Sequence, residues 1–171
     1  MRGGCRAILG SMVRLHQPSA TRQVLVDAAF DEIHKRGFQA ASLDEILART
    51  GVTKGALYHH FENKLALGYA VVDEKLGQAL LQMFLLPVQG APDPIDGLVR
   101  TIRGAAGALS HEGVCLGCPI ANLAQEMSPV DEGFRTRIDR LYRLWSDSIA
   151  RLLEQGQKSG RVRKDVDAEA A

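Results

Sequence analysis

The sequence predicts an all-α fold: a three-helix head at the N-terminus, joined by one long helix to a helical bundle. Three observations predict it. Apolar residues recur at i, i+3, i+4 and i+7 along most of the 171 residues. The breaks in that pattern fall at Gly, Pro and capping residues. No segment alternates apolar and polar residues in the manner of a half-buried strand. An apolar content of 46% is enough to build a core, and a charged content of 24% is ordinary for a soluble protein. No run approaches eighteen consecutive apolar residues, so no membrane span is expected.

Residues 1–17 carry Arg2, Arg6 and Arg14 around a short apolar patch. They read as a disordered arm, a tag or a misplaced start, with Met12 a candidate initiator. A secretory signal would need a longer apolar stretch and a small-residue cleavage site. The first helix is expected over 21–36, with Leu25, Ala29 and Ile33 on one row and Val26 and Phe30 on the next. Gly37 supplies its stop. Leu43, Ile46, Leu47 and Thr50 keep helical spacing over 43–50. Ser42-Leu43-Asp44-Glu45 opens that helix as a capping box, in which the Ser hydroxyl takes one orphan N–H and the Glu side chain the other. Gly51 ends it, and Thr53 caps a third helix over 54–60.

A long helix is expected from Lys64 to Leu85, its inner stripe being Leu65, Tyr69, Val72, Leu76, Leu80 and Met83. Pro87, Gly90, Pro92 and Pro94 mark the main loop. Residues 95–109 resume the helical pattern with Ile95, Leu98, Val99 and Ile102, and His111-Glu112-Gly113 breaks it. A short helix over 119–127 and a long one over 131–156 follow, the latter with Phe134, Ile138, Leu141, Trp145 and Leu152 inward. Gly160 closes that region, and Asp165-Val166-Asp167 looks like the opening of one more helix.

Net charge is +1, unevenly placed. Residues 1–64 hold nine Lys/Arg against six Asp/Glu, and residues 65–171 hold twelve against fourteen. A mildly basic head on an acidic body suits an anionic partner at the head. Three cysteines, an odd number without an export signal, fit a reducing cytoplasm better than a disulfide scaffold. Paired carboxylates, a phosphate loop and a nucleophile–base motif are absent from the pattern, so neither an enzyme nor a bound cofactor is expected.

The informative stretch is Ser42–Lys64, SLDEILARTGVTKGALYHHFENK. Two short helices joined by a tight Gly-containing turn have helix-turn-helix spacing. The second helix of that motif offers its N-terminal residues to the DNA major groove. Lys54-Gly55-Ala56 places a charge and then two small residues there, which permits close approach. Tyr58, His59 and His60 add hydrogen-bonding groups at the rim. Lys64 sits in the first turn of its helix, where the macrodipole disfavours a cation by ~0.3–1 kcal/mol. A bound phosphate would reverse that sign. The DNA-contact candidates are Ser42, Thr53, Lys54, Gly55, Ala56, Tyr58, His59 and Lys64, with Tyr58 and Lys64 the phosphate contacts. Leu57 and Phe61 are core by spacing, and Phe61 is expected against the first helix.

This stretch resembles the TetR family of repressors. The resemblance rests on the Thr21–Gly37 helix with Ala28, Phe30 and Gly37-Phe38, then Ser42, Ile46, Ala48, Gly51-Val52, Gly55, Leu57-Tyr58, His60-Phe61 and Lys64. It implies a homodimer that blocks transcription at a palindromic double-stranded operator until a small-molecule inducer binds the body. Residues 18–64 would form the DNA-binding domain and 65–171 the ligand-binding and dimerisation domain. Family members commonly continue through two further helices that build the dimer interface. On that resemblance the C-terminus is expected to be incomplete and the dimer of this chain weak.

Met83, Cys118, Tyr142 and Trp145 are candidates for lining a ligand pocket, since bundles build pockets from aromatic and thioether groups. Cys115-Leu116-Gly117-Cys118 is a CxxC with His111 four residues before it. Three readings stand: small buried residues at a helix start, a thiol sensor or redox pair, or a metal site. A thiol at a helix N-terminus is acidified and reactive. A single CxxC with one His falls short of a closed tetrahedral site, so no metal is assigned. A small helical thiol oxidoreductase is the alternative function. It would lack the βαβ context of thioredoxin-like CxxC chemistry.

Overall fold

The computed structural model describes residues 19–88, 91 and 93–170. The expectation for residues 1–17, Cys5 included, lies outside them. Helix α1 (Ala20–Arg36) starts where Ser19 Oγ accepts the Arg22 amide, and it buries Leu25, Val26 and Ala29 completely. It stops at Gly37, whose φ of +81° suits a residue without a Cβ. Helix α2 (Leu43–Thr50) packs across it and buries Ile46.

The capping box of α2 is only half made. Ser42 Oγ accepts the Glu45 amide at 3.3 Å, as expected. The Ser42 amide, however, donates to Glu32 of α1 at 3.5 Å rather than to Glu45. Glu32 is 4% exposed and paired with Arg36 at 3.2 Å. A carboxylate already buried at this helix N-terminus takes the place of the local one, and Glu45 stays on the surface.

Helix α3 (Lys54–His60) follows the Gly51 turn. Helix α4 runs over residues 64–85, and Asn63 caps it by accepting the Ala66 amide. Two stretches of α4, Val71–Leu76 and Leu81–Leu85, are wound as π-helix. The Leu86 amide donates to Leu81 O at 2.8 Å, five residues back. This corrects the expected stripe. After Leu80 the next buried residue comes five positions on, at Leu85, and Met83 is 46% exposed. Leu65, in the first turn, also faces out, while Leu67, Val71 and Val72 form the inner face.

Helix α5 (Pro94–Ala108) turns a small face inward: Gly97 and Thr101 are buried, and Val99 and Ile102 are exposed, against the expected apolar stripe. The reason is close approach, since a Cβ on Gly97 would lie 2.7 Å from Ala91 Cβ. Residues 111–113 do not break the helical pattern. They open a short helix α6 (His111–Leu116), capped by Ser110 Oγ on the Gly113 amide. Helix α7 (Pro119–Met127) buries Ile120, Leu123 and Met127. Helix α8 (Glu132–Lys158) buries Phe134, Ile138 and Leu141, and rests Trp145 on Phe84 with ring centroids 5.1 Å apart. Beyond Gly160 no helix forms within the described residues. Asp167 accepts the Glu169 and Ala170 amides in turns where a further helix was expected to open.

Head and body share one core. Phe38, just after α1, packs edge-on against Phe134 of α8 at 4.7 Å, and Tyr69 of α4 meets the same ring at 5.1 Å. No strand occurs, and no helix is long and apolar enough to cross a membrane, among the described residues.

Candidate nucleic-acid interface

Three caps set the geometry of the α2–α3 pair. Gly51 adopts the left-handed conformation at φ +67°, ψ +8°, and its amide closes α2 on Leu47 O. Thr50 Oγ1 donates to Ile46 O at 2.9 Å and accepts the Val52 amide at 3.3 Å. Thr53 Oγ1 accepts the Ala56 amide at 3.2 Å and starts α3. The inward side of α3 is anchored by Leu57, fully buried, and by Phe61 just beyond, 3% exposed. The Arg22 guanidinium lies 4.8 Å from the Phe61 ring centroid, so Phe61 does pack against α1.

Thr53, Lys54, Gly55, Tyr58 and His59 are all exposed: helical spacing sets Gly55, Tyr58 and His59 away from the inward Leu57, and Thr53 and Lys54 stand at the open N-terminal end of α3. Ala56 and Ser42 are half-buried. Ser42 and Thr53 already use a side-chain oxygen on the helix termini, and these oxygens fix the orientation of α2 and α3. A Cβ on Gly55 would meet none of the described residues within 4 Å. Internal packing therefore does not require a glycine there, and the open space is on the outer surface. His60, half-buried, lies 3.5 Å from Ser19 Oγ and edge-on to His59.

Lys64 is placed differently from its neighbours. Its Nζ donates to Gln39 O at 3.0 Å and stands 5.0 Å from the Phe38 ring centroid. Burial lowers its pKa below the ordinary lysine value, while Glu126 of α7 pulls the other way. The cation at the α4 N-terminus thus has intramolecular partners, a compensation for the unfavourable dipole that sequence reasoning referred to DNA alone. An ammonium carries three donors, and one of them ends on Gln39.

The pocket candidates are not brought together. Met83 lines an open groove of about 390 Å³ between α4 and α5, with Pro87, Arg100, Thr101, Gly104 and Ala108. Trp145 packs on Phe84, and Tyr142 is 42% exposed on α8. Cys115 and Cys118 are both free and exposed, which corrects the expectation of buried small residues. Cys118 precedes Pro119 and leaves the α7 N-terminus without a side-chain cap. Cys115 Sγ lies 3.8 Å from His111 Nδ1, one turn apart on α6. No cluster of three metal-ligating side chains exists among the described residues.

Sequence reasoning missed Glu126. Its carboxylate accepts the Phe38 amide at 2.7 Å and the Gln39 amide at 2.8 Å, which joins α7 to the turn after α1. No local signal marks it, because donors and acceptor are more than eighty residues apart in the chain.

A three-helix head with an exposed, small-residue N-terminus on its third helix, set on a helical body, defines a helix-turn-helix transcriptional regulator. The comparisons agree. Residues 25–71 match the bacterial regulatory proteins of the tetR family, and residues 94–171 match the tetracyclin repressor-like C-terminal domain. The chain belongs to the TetR family. It is 30% identical over 155 residues to the transcriptional regulator AcuR of Cereibacter sphaeroides, covering 89% of this chain and 69% of that protein. It is 27% identical over 152 residues to the HTH-type transcriptional repressor DhaR of a Mycobacterium species, covering 85% of this chain and 71% of that one. The crystal structure of a regulatory protein TetR from Rhodobacter sphaeroides superposes with a TM-score of 0.76 at 30% identity, over 89% of this chain and 80% of that one. These are regulators, and the thiol oxidoreductase alternative finds no support among them.

Proposed function

We propose that the protein is a cytoplasmic, ligand-responsive repressor that binds a palindromic operator as a homodimer and is released by a small-molecule inducer. The observation that carries the DNA reading is the outer surface of α3. Lys54 and Gly55 stand exposed at its first turn, and buried Leu57, on the opposite side from Gly55, seats the helix. A groove-facing helix start needs a charge, little bulk and a rigid seat. Lys54 and His59 are assigned to the reading face, Tyr58 and Lys64 to phosphates, and Thr53, Ala56 and Ser42 to the backbone contacts of the helix ends. Two heads in a dimer would meet major grooves ~34–36 Å apart or a multiple of that. The name of DhaR, a repressor, supports the direction of regulation.

The inducer is assigned to the α4–α5 groove lined by Met83. Its volume of about 390 Å³ falls in the range of small-molecule sites. Arg100 and Thr101 give it one cation and one hydroxyl, which suits a small, partly apolar molecule with an acidic or carbonyl end.

Selection of duplexes from a randomised pool by the full chain, then titration at several salt concentrations, tests this reading. A selected palindrome bound by two chains, with affinity falling steeply as salt rises, is expected. Failure to enrich any duplex would sink it.

A further inference from the structure

We infer that Glu126 is a positioning residue for DNA binding, acting from the body through the turn after α1 on Lys64. The inference rests on the DNA-binding reading above. The Glu126 carboxylate is half-buried and takes two consecutive amides, Phe38 at 2.7 Å and Gln39 at 2.8 Å. Consecutive amides that converge after a residue of positive φ form an anion cradle, and here a side chain from another helix occupies it. Gly37 makes the cradle possible. A Cβ on Gly37 would stand 2.9–3.1 Å from the carboxylate atoms of Glu126, so the glycine serves both the +81° φ and the space for the acid.

Gln39 passes the constraint on. Its amide is held by Glu126, and its carbonyl accepts Lys64 Nζ at 3.0 Å. The Phe38 ring, whose backbone amide Glu126 also holds and which packs edge-on against Phe134, lies 5.0 Å from the same ammonium. The backbone that carries both groups is therefore held by one carboxylate on α7. Two further contacts hold the same stretch of body to α1: His34 Nε2–H donates to Gly117 O at 2.9 Å, and Lys35 pairs with Glu112 at 3.2 Å. Without Glu126, two amides lose a charged acceptor, Gln39 is free to turn, and the ammonium loses its seat. Its contribution to phosphate binding falls with it.

A double-mutant cycle in duplex binding tests this. The full chain first selects its duplex from a randomised pool. Wild type, Lys64→Ala, Glu126→Gln and the double variant are then titrated with that duplex at several salt concentrations. Gln keeps the size of Glu, but its amide NH2 opposes one of the two backbone donors. Glu126→Gln is expected to weaken binding about tenfold and to lower the salt slope by about 1, as Lys64→Ala does. The double variant should bind within about twofold of Lys64→Ala alone, because the two act through one contact. A role confined to stability would leave the salt slope at its wild-type value and add to the Lys64 effect. Wild-type affinity and slope in Glu126→Gln, or a further tenfold loss in the double variant, would overturn the inference and leave the DNA reading standing. Should no duplex be enriched by wild type, both are overturned. If Glu126→Gln is unfolded by circular dichroism, Glu126→Asp replaces it in the same cycle, with the same outcomes decisive.

Discussion

Tyr69 donates its hydroxyl to Asp131 Oδ1 at 2.8 Å, and that oxygen also accepts the Phe134 amide at 2.8 Å. One carboxylate therefore caps α8 and ties it to α4 at the helix start that carries Phe134, whose ring meets Phe38 between head and body. The hydrogen bond donated by the Phe134 backbone N–H, with smaller help from Tyr69 and Arg137, holds the Asp131 pKa below its ordinary value against the opposing effect of burial. Burial and the bond to Asp131 hold the Tyr69 phenol above its own.

The signs of these shifts define a pH window for stability. A depressed carboxylate stabilises the fold fully above its ordinary value of 3.8, and that contribution is lost as pH falls below it. A raised phenol stabilises below its ordinary value of 10.0 and loses that contribution as pH climbs through the folded value. Asp131→Ala should lower stability at pH 7 by about 1 kcal/mol through loss of the N-cap and flatten the acid limb. Tyr69→Phe should flatten the alkaline limb. Urea unfolding at a series of pH values reads both. An acid limb unchanged in Asp131→Ala would show that other carboxylates set it.

Gly68 is the pivot of the aromatic seam. A Cβ there would stand 2.5 Å from Phe38 Cε2 and 2.7 Å from Phe134 Cζ. Gly68→Ala gains about 1 kcal/mol of helix propensity and costs about 1–3 kcal/mol in overpacking, so a net loss is expected. At this chain length, 1 kcal/mol is about 2–4 °C in Tm. Calorimetry checks it. A raised midpoint would mean that the rings move aside at no cost.

Gly55 should behave in the opposite way. None of the described residues lies within 4 Å of its missing Cβ, so Gly55→Leu keeps the fold and gains helix propensity. The added side chain protrudes where α3 is proposed to enter the major groove. Tm should hold or rise while binding to the selected duplex is lost. Full affinity in the folded variant would move the reading face elsewhere.

Gly104 offers a test of the groove. It lines the α4–α5 cleft, and its Cβ direction is open. Gly104→Leu should fill the cleft, leave the fold and duplex affinity intact, and abolish release by inducers found in a compound screen against the DNA complex. Release at wild-type inducer concentration would place the inducer in another part of the body.

The helices themselves were legible because their signals are local. Ser42, Thr53 and Gly51 mark ends that the structure places at the same residues, and the spacing of Leu57 and Phe61 marks which side of α3 is buried. The surface of α3 follows from that spacing, since the turn it occupies is short and its caps are adjacent in sequence. Short local elements also misled where two readings compete. His111-Glu112-Gly113 contains a glycine that reads as a break, yet Ser110 caps a helical turn over it.

By itself the sequence determined the ends of the three head helices and the buried side of α3, because capping and periodicity act within a few residues. Tertiary structure decided what depends on distant partners. Glu32 displaced Glu45 at the α2 cap because it was already buried there with Arg36. The inner residues of α4 shifted to Leu85 because the helix winds wider over Leu81–Leu85, and backbone pitch leaves no mark in residue spacing. Lys64 found Gln39, Phe38 and Glu126 because folding brings α7 against the turn after α1. The Glu126 carboxylate and the backbone amides it accepts are more than eighty residues apart, so no periodicity announces them, and packing alone brings them together.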